Sequence, residues 1–478
     1  MRNRIILIGL AVAIWAGLKA IDDLVTGPEL LIMLGILLVI VITHSAWLFC
    51  AQDEWQRKAR KYVRHKLSRR ARPLLQKGKI GKFLAGRKPL QFFAFRRSPG
   101  RLPAIVNQDA EWRPWVDIFI AAKNESRVIG TTVENMFKLD YDRFYLWVID
   151  DCSTDEMPQV LADLMKRYPR LRVVTRLPGS YPGKSAALND ALPLSKGEVV
   201  AVFDADAYVA PDWLNKMLPV LQADHVGAVQ AQKRIFERQT EWLPRFQDSE
   251  YAIDTYFQVG RDLIGGAVEL RGNGQLIKRS ALIDVNGWNN KAITDDLDLS
   301  MRLLVSNWDI RLCPDAVVWE EGVTTLKALM RQRRRWAEGS IRRYLDYIFP
   351  LNSPTRLSLV ERLDCLAFTV YFLVPAVVFL EFTSEMLQLL SGTPTNGSFL
   401  ALGYFAVLWV SQVNMFISVR LYRDMPLAKA FIHSILVTAY VYGHWVPCII
   451  LSFSQILFGK QVSTWHRTEH VGHTPSNV

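Results

Sequence analysis

Two apolar runs in the middle of the chain stop abruptly on acids. Leu146–Ile149 runs into Asp150-Asp151, and Val199–Phe203 runs into Asp204-Ala205-Asp206. Short runs of branched and aromatic residues suit buried strands, whereas the segments between them repeat at helical period. The expected elements are strand Val116–Ala121, helix Glu125–Leu139, strand Leu146–Ile149, a helix through Pro158–Tyr168, strand Leu171–Val174, helix Lys184–Ala191 and strand Val199–Phe203. Such alternation predicts an α/β domain with a mostly parallel sheet covered on both faces. Sheets of this kind bind ligands at the carboxyl ends of their strands, which is where these acids fall.

The domain is expected to sit between membrane spans. The apolar share of 50% is high for a soluble protein, and the excess is localised in Ile5–Leu18, Leu30–Cys50 and several runs after Asp364. Leu30–Cys50 has roughly the 20 residues that a helix needs to cross a bilayer. Arg2 and Arg4 before a short apolar stretch also fit a signal peptide, but no small-residue cleavage site closes it. At the other end, Cys365–Leu390 and Phe399–Val419 read as spans. Ala430–Phe458 is long for one crossing, short for two, and broken by Pro447.

The net charge of +12 is local. Seventeen of the 58 lysines and arginines lie between Arg57 and Arg101 with no acid among them, so the remainder, which holds all 46 acids, is mildly acidic. This run follows a span and carries no recognised nucleic-acid motif. It reads as a positive-inside flank touching anionic lipid headgroups, with no nucleic-acid partner. The acidic connection Ile21–Glu29 then faces outward, and the central domain is cytosolic. The chain divides into two N-terminal spans (1–50), a basic linker (51–111), the α/β domain (112–325), an arginine-rich interfacial helix (326–350), C-terminal spans (351–460) and a tail (461–478). Five cysteines without a CxxC pair suggest neither a disulfide framework nor a zinc site.

The chemistry-bearing residues recur in one order. Asp204 and Asp206, in the turn after a strand, can converge on a divalent ion and a diphosphate, since Mg²⁺ or Mn²⁺ takes hard oxygen ligands and shares them with phosphates. Asp150 and Asp151 lead into Ser153-Thr154-Asp155, which suits a capped helix start beside a nucleoside. Lys184 after Gly183 offers a cation to phosphate or ribose, although a solvated lysine is an equal reading. Gly272-Asn273-Gly274 is a permissive backbone for close approach of an acceptor, or an ordinary turn. Asp295, Asp296 and Asp298 cluster at a helix start, where carboxylates raise one another's pKa and one stays basic enough to take a hydroxyl proton. Gln332, Arg335 and Trp336 close the series, with a guanidinium for a departing oxyanion and an indole for acceptor stacking. A nucleoside carboxylate, a metal–diphosphate pair, a base and a leaving-group cation are the parts that sugar transfer from a nucleotide diphosphate requires.

Taken as a set, these residues resemble the membrane-embedded family-two glycosyltransferases, the group of cellulose, chitin, hyaluronan and poly-N-acetylglucosamine synthases. The resemblance spans about Trp115 to Tyr347, through the motifs D, DxD, TED and QxxRW. One triplet departs from the pattern, reading Thr294-Asp295-Asp296 in place of TED. Within that group the wording is most similar to cyanobacterial-type β-monoglucosyldiacylglycerol synthases, in AAKNESRVIG, LWVIDDCSTD, GKSAALN, FDADA, ELRGNGQLIKR, GWNNKAITDDLDLS and RRRWAEG. The resemblance implies a GT-A fold, Rossmann-like, inserted between transmembrane helices of a multi-pass protein of a plasma or thylakoid-type membrane. It also implies a Mg²⁺-dependent inverting transfer of glucose from UDP-glucose to the 3-hydroxyl of diacylglycerol. On that mapping Asp150 and Asp151 hold uridine, and Asp204 and Asp206 hold the metal and diphosphate. Asp296 is the base beside Asp295, and Arg335 with Trp336 acts on diphosphate and acceptor. The alternatives are a processive polysaccharide synthase with the same site and a catalytically silent membrane scaffold or nucleotide-sugar sensor.

Overall fold

The computed structural model describes residues 35–54, 112–236, 241–351, 357–392 and 397–459. The expected span Ile5–Leu18, the basic linker from residue 55 to 111 and the tail lie outside the described residues, and the first four residues assigned to the linker continue the helix before it. Helix α1 is Gly35–Glu54. The α/β domain follows as β1 (Val116–Ala122), α2 (Ile129–Met136), β2 (Phe144–Asp150), α3 (Met157–Arg167), β3 (Leu171–Thr175), α4 (Lys184–Ala191), β4 (Val199–Phe203), β5 (Tyr208–Val209), α5 (Trp213–Leu221) and β6 (Val226–Ile235). It continues with α6 (Trp242–Ile264), β7 (Gln275–Lys278), α7 (Arg279–Asp284), α8 (Asp295–Val305) and β8 (Asp309–Glu320). Four long helices come last, α9 (Leu326–Leu351), α10 (Leu359–Ser391), α11 (Gly397–Tyr422) and α12 (Leu427–Phe458).

The eight strands form one sheet in the order β3-β2-β1-β4-β7-β6-β8-β5. The first four are mutually parallel, as the alternation of strand and helix signals requires. Beyond them the sheet is mixed: β7 enters antiparallel to both β4 and β6, and β5 antiparallel to β8. Period-two alternation sorts side chains between the faces. Ile118, Ile120, Val199, Ala201 and Phe203 join the core beneath α2, α3 and α5. Phe119, Ile149, Val200 and Val202 face α4, α7 and α8 on the other side.

Register fixes where the acids fall. Ala122 of β1 pairs with Asp150 of β2, and Ile120 pairs with Phe203 of β4. Asp150 and Asp204 therefore flank the carboxyl end of β1, one on each neighbouring strand.

Among the described residues, Gly35–Glu54 and Leu427–Phe458 are long and apolar enough to cross a membrane. The awkward run after Ala430 is one continuous helix that includes Pro447. At 1.5 Å per residue its 32 residues extend about 48 Å, beyond the thickness of a bilayer core. The surplus packs on protein: Cys448, Ile449 and Ile456 form a core with Ala337, Ile341 and Leu345 of α9.

The arginine-rich helix also differs from a simple interfacial one. Arg331 and Arg334 are exposed, but Arg333 and Arg343 are buried among acids of the α/β domain. The domain is tied to the flanking helices in the same way. Asp364 of α10 accepts from His44 of α1 at 2.9 Å, from Arg261 Nε of α6 at 2.8 Å and from the Ala267 N–H at 2.9 Å.

Candidate active site

Asp150 ends β2 and turns inward to accept the N–H of Ser153 at 2.9 Å, which closes the loop before α3. Asp151 projects beyond it, ion-paired to Arg176 and accepting the Gly183 N–H at 3.2 Å. Arg176 follows β3 directly and also reaches Asp190 Oδ2 at 2.8 Å and the Tyr181 carbonyl at 2.7 Å. The first acidic motif is thus bound to the loop that opens α4. Cys152, between these groups, occupies the left-handed region and donates its thiol to the Arg176 carbonyl at 3.4 Å, the part of a loop residue.

Lys184, the first residue of α4, joins that loop to the second motif. Its ammonium pairs with Asp204 and donates to the Gly272 carbonyl at 3.0 Å. Burial opposes its charge, but Asp204, Asp295 and Asp296 outweigh it and raise the pKa. The solvated-lysine reading does not describe this side chain, which ties Asp204 to the Gly272 turn. Asp204 is oriented by its own N–H, which donates to Asn273 Oδ1 at 3.2 Å, and Asp206 Oδ2 accepts the Glu321 N–H at 2.8 Å.

Thr294 precedes α8, whose first turn carries Asp295, Asp296 and Asp298. Asp296 Oδ1 accepts the Leu297 N–H at 2.9 Å. Burial, then the charge of Asp295, push its carboxyl up to about 6, while Arg271 and Lys184 pull the other way. Gly272 has φ near +81°, and a side chain there would begin 3.3 Å from Asp296 Oδ2. Glycine at this position therefore meets a backbone requirement and leaves space directly before the carboxylate.

Helix α9 passes close to this turn. A Cβ at Gly339 would fall 2.4 Å from Thr294 Cγ2, so only glycine admits the contact. Arg335 lies among Asp295, Asp296 and Asp204; burial lowers its pKa while those acids raise it, and a guanidinium so placed stays charged. Gln332 and Trp336 are both set by Arg333. This arginine donates to the Gln332 side chain and lies 4.2 Å from the Trp336 ring. It is itself held by two bonds to Glu250, at 2.9 and 2.8 Å. Trp336 also carries Lys233 at 5.8 Å from its ring.

The structure thus joins Asp151, Lys184, Asp204, Gly272, Asn273, Asp295, Asp296 and Arg335 through contacts or direct charge influence, with Asp150, Asp206, Gln332 and Trp336 at the margins. Four participants escaped the sequence reading: Arg176, Glu250, Arg271 and Glu320. For Arg176 a signal existed, since it follows a predicted parallel strand on the same edge as Asp150. The other three are positioned by tertiary pairing alone.

Residues 114–339 match the model for glycosyltransferase like family 2. The β-monoglucosyldiacylglycerol synthase of a Nostoc species is 39% identical over 370 residues, covering 75% of this chain and 77% of that one. The chain belongs to the family-2-like glycosyltransferases. A second relative of this glycosyltransferase, the β-monoglucosyldiacylglycerol synthase of a Synechocystis species, is 36% identical over 78% of this chain and 79% of its own. The poly-β-1,6-N-acetyl-D-glucosamine synthase of Staphylococcus epidermidis is 25% identical over 79% of this chain and 92% of that one. In three dimensions the glycosyltransferase is similar to the mannosyltransferase PcManGT from Pyrobaculum calidifontis, solved with GDP-Man and Mn²⁺. The TM-score is 0.56 at 20% identity, over 89% of this chain and 100% of that one. The fold is GT-A-like.

Proposed function

We propose that this glycosyltransferase moves glucose from UDP-glucose to the 3-hydroxyl of 1,2-diacylglycerol with inversion, giving β-monoglucosyldiacylglycerol. The observation that carries the reading is Asp296: a half-buried carboxyl raised to about 6, facing the gap at Gly272, next to the cations Lys184 and Arg335. The choice of glucose and diacylglycerol follows the relatives at 36–39% identity.

Asp151 would face the uridine from the loop that Asp150 closes, and Asp204 and Asp206 the diphosphate with a divalent ion, Mg²⁺ or Mn²⁺. The residues fit such an ion. Two hard carboxylates stand after β4, and among the described residues no cluster of three acids, histidines or cysteines forms a site made of protein alone. That donor set suits an ion completed by phosphate oxygens. When bound, the ion would neutralise charge on the diphosphate. Asp296 takes the proton from the acceptor hydroxyl as its oxygen attacks the anomeric carbon, opposite the departing UDP. One displacement on an α-linked donor gives a β product. Arg335 stabilises the developing charge on UDP, a role that a preorganised cation fills without reorganisation. Trp336 lines the acceptor side. A multi-pass arrangement, with the domain on the cytosolic side and the basic linker on anionic headgroups, would bring the lipid hydroxyl to this edge.

The test incubates the purified protein with diacylglycerol and Mn²⁺ or Mg²⁺, offering UDP-glucose, UDP-galactose and UDP-N-acetylglucosamine separately. A chloroform-soluble monoglucoside formed only from UDP-glucose is expected. A water-insoluble polymer formed without added lipid would overturn the lipid acceptor in favour of a polysaccharide synthase.

A further inference from the structure

Glu320 is the last residue of β8 and is buried, and no part of the proposed chemistry uses it. Its carboxylate takes three donors from three parts of the chain. They are Tyr251 Oη of α6 at 2.6 Å, Asn273 Nδ2 at 2.9 Å and Lys233 Nζ of β6 at 2.9 Å. An ionised carboxylate is purely an acceptor, so it dictates the orientation of any amide it meets. Asn273 is fully buried, and with its Nδ2 committed to Glu320 its Oδ1 is turned to the Asp204 N–H. The Asn273 carbonyl is fixed as well, accepting from Gln230 Nε2 at 2.8 Å. From the same anchored strand end, the next peptide donates the Glu321 N–H to Asp206 Oδ2. One buried acid therefore sits behind both members of the Asp204/Asp206 pair, reaching one through the Asn273 amide and adjoining the Glu321 N–H that holds the other.

We propose that Glu320 is the positioning residue that holds Asp204 and Asp206 in the geometry needed for a metal–diphosphate, with Asn273 as its relay. The inference rests on the reading of that pair as the metal-binding carboxylates. It follows that the acceptor-only character of Glu320 matters more than its size. In Glu320→Gln the shape is kept, but the side chain brings two donor hydrogens to a place where Tyr251, Asn273 and Lys233 all donate. The Asn273 amide then loses its preferred orientation, and Oδ1 is no longer held towards Asp204.

The experiment uses the full-length protein in nanodiscs with UDP, titrated with Mn²⁺ and followed by the electron paramagnetic resonance of the free ion. Donor KM and kcat are measured in parallel. Glu320→Gln is expected to weaken Mn²⁺ uptake about tenfold and to raise the UDP-glucose KM by a similar factor, with the diacylglycerol KM within twofold of the wild type. The double variant Glu320→Gln/Asn273→Asp reverses the polarity of the contact at constant net charge. The glutamine then donates to one aspartate oxygen and the other accepts the Asp204 N–H. It is expected to recover Mn²⁺ uptake to within about threefold of the wild type, which a merely structural role for Glu320 would not produce. Unchanged Mn²⁺ uptake in the single variant, or no recovery in the double variant, would overturn the relay. Should the wild type take up no Mn²⁺ with UDP, the metal reading of Asp204 and Asp206 fails and this role fails with it. Normal wild-type uptake matched by Glu320→Gln removes the role of Glu320 alone.

Discussion

The two halves of the α/β domain hold their polar residues by different means. On the β1–β4 side, acids sit at the ends of parallel strands and take backbone donors from the adjoining loops, Asp150 the Ser153 N–H and Asp151 the Gly183 N–H, with Arg176 after β3 pairing Asp151. On the side facing the flanking helices, the polar groups are buried charges paired over long sequence separations. Arg333 meets Glu250 83 residues away, and Arg261 meets Asp364 103 residues away. Glu269 lies between Arg343, Arg261 and Arg271; burial alone would raise its pKa, but those three cations hold it far below the usual carboxylate range. A strand end needs little beyond the sheet to place a carboxylate. A buried ion pair needs its partner, because losing either member leaves an uncompensated charge out of water. Donor-side substitutions should therefore change binding and rate, while substitutions on the acceptor side change rate and stability together.

Asp296 belongs to both halves and gives the largest expected effect. Asp296→Asn should lower kcat by a factor on the order of 100 to 10,000, the range a general base supplies, while the UDP dissociation constant stays within about twofold. Loss of nucleotide affinity in that variant would move the base elsewhere. In the wild type, kcat/KM should fall as pH drops through about 6, since the base must be ionised and its carboxyl is raised to that value. A profile flat from pH 7 to 5 would contradict the assignment.

Glu250→Ala sharpens the contrast between the halves. It strands the fully buried Arg333 and removes the partner of Trp445 Nε1 and Tyr440 Oη in α12. About 3–5 kcal/mol of stability should be lost, read as a lower midpoint in thermal or denaturant unfolding. A shift no larger than that of an exposed ion pair would erase the difference between the two halves.

Asp296 also carries a stability cost with a definite sign. Its folded pKa lies above its unfolded value, so the native state binds the proton more tightly and loses stability as pH rises from about 4 to about 6. Asp296→Asn should therefore be more stable than the wild type at pH 7.5, by up to about 3 kcal/mol, with the gain vanishing below pH 4. Equal melting temperatures at both pH values would show that the carboxyl is not raised. The smallest effect is expected at Arg113, whose pairing with Asp142 at 2.6 Å is exposed on both sides. Arg113→Ala should change stability by less than about 1 kcal/mol, and a larger loss would blur the line between surface and buried pairs.

The same contrast explains what could be read before the fold was known. Strands β1, β2 and β4 and the acids after them were legible because a short, continuously apolar run and its abrupt end on aspartate are local signals. Gly272 stood out as permissive backbone, but its reason, the closeness of Asp296 Oδ2, belongs to a contact across 24 residues and two elements. Antiparallel β7 is four residues long and carries no marker of direction. The interleaved arginines of α9 suggested a lipid surface, yet Arg333 and Arg343 face Glu250 and Glu269, and no spacing rule pairs those positions. Glu320 ends β8 with no local marker of a role. Its partners converge from β6, α6 and the Gly272–Gly274 turn, so its role is written only in the tertiary structure.

The most direct measurement is a cryo-EM structure of the Asp296→Asn variant with UDP-glucose and Mn²⁺. The expected density has uridine against Asp151, an ion about 2 Å from oxygens of Asp204 and Asp206, and the anomeric carbon turned towards position 296 beside Arg335. Nucleotide density bound away from these carboxylates, or a sugar facing away from position 296, would contradict the proposal that they act on one donor.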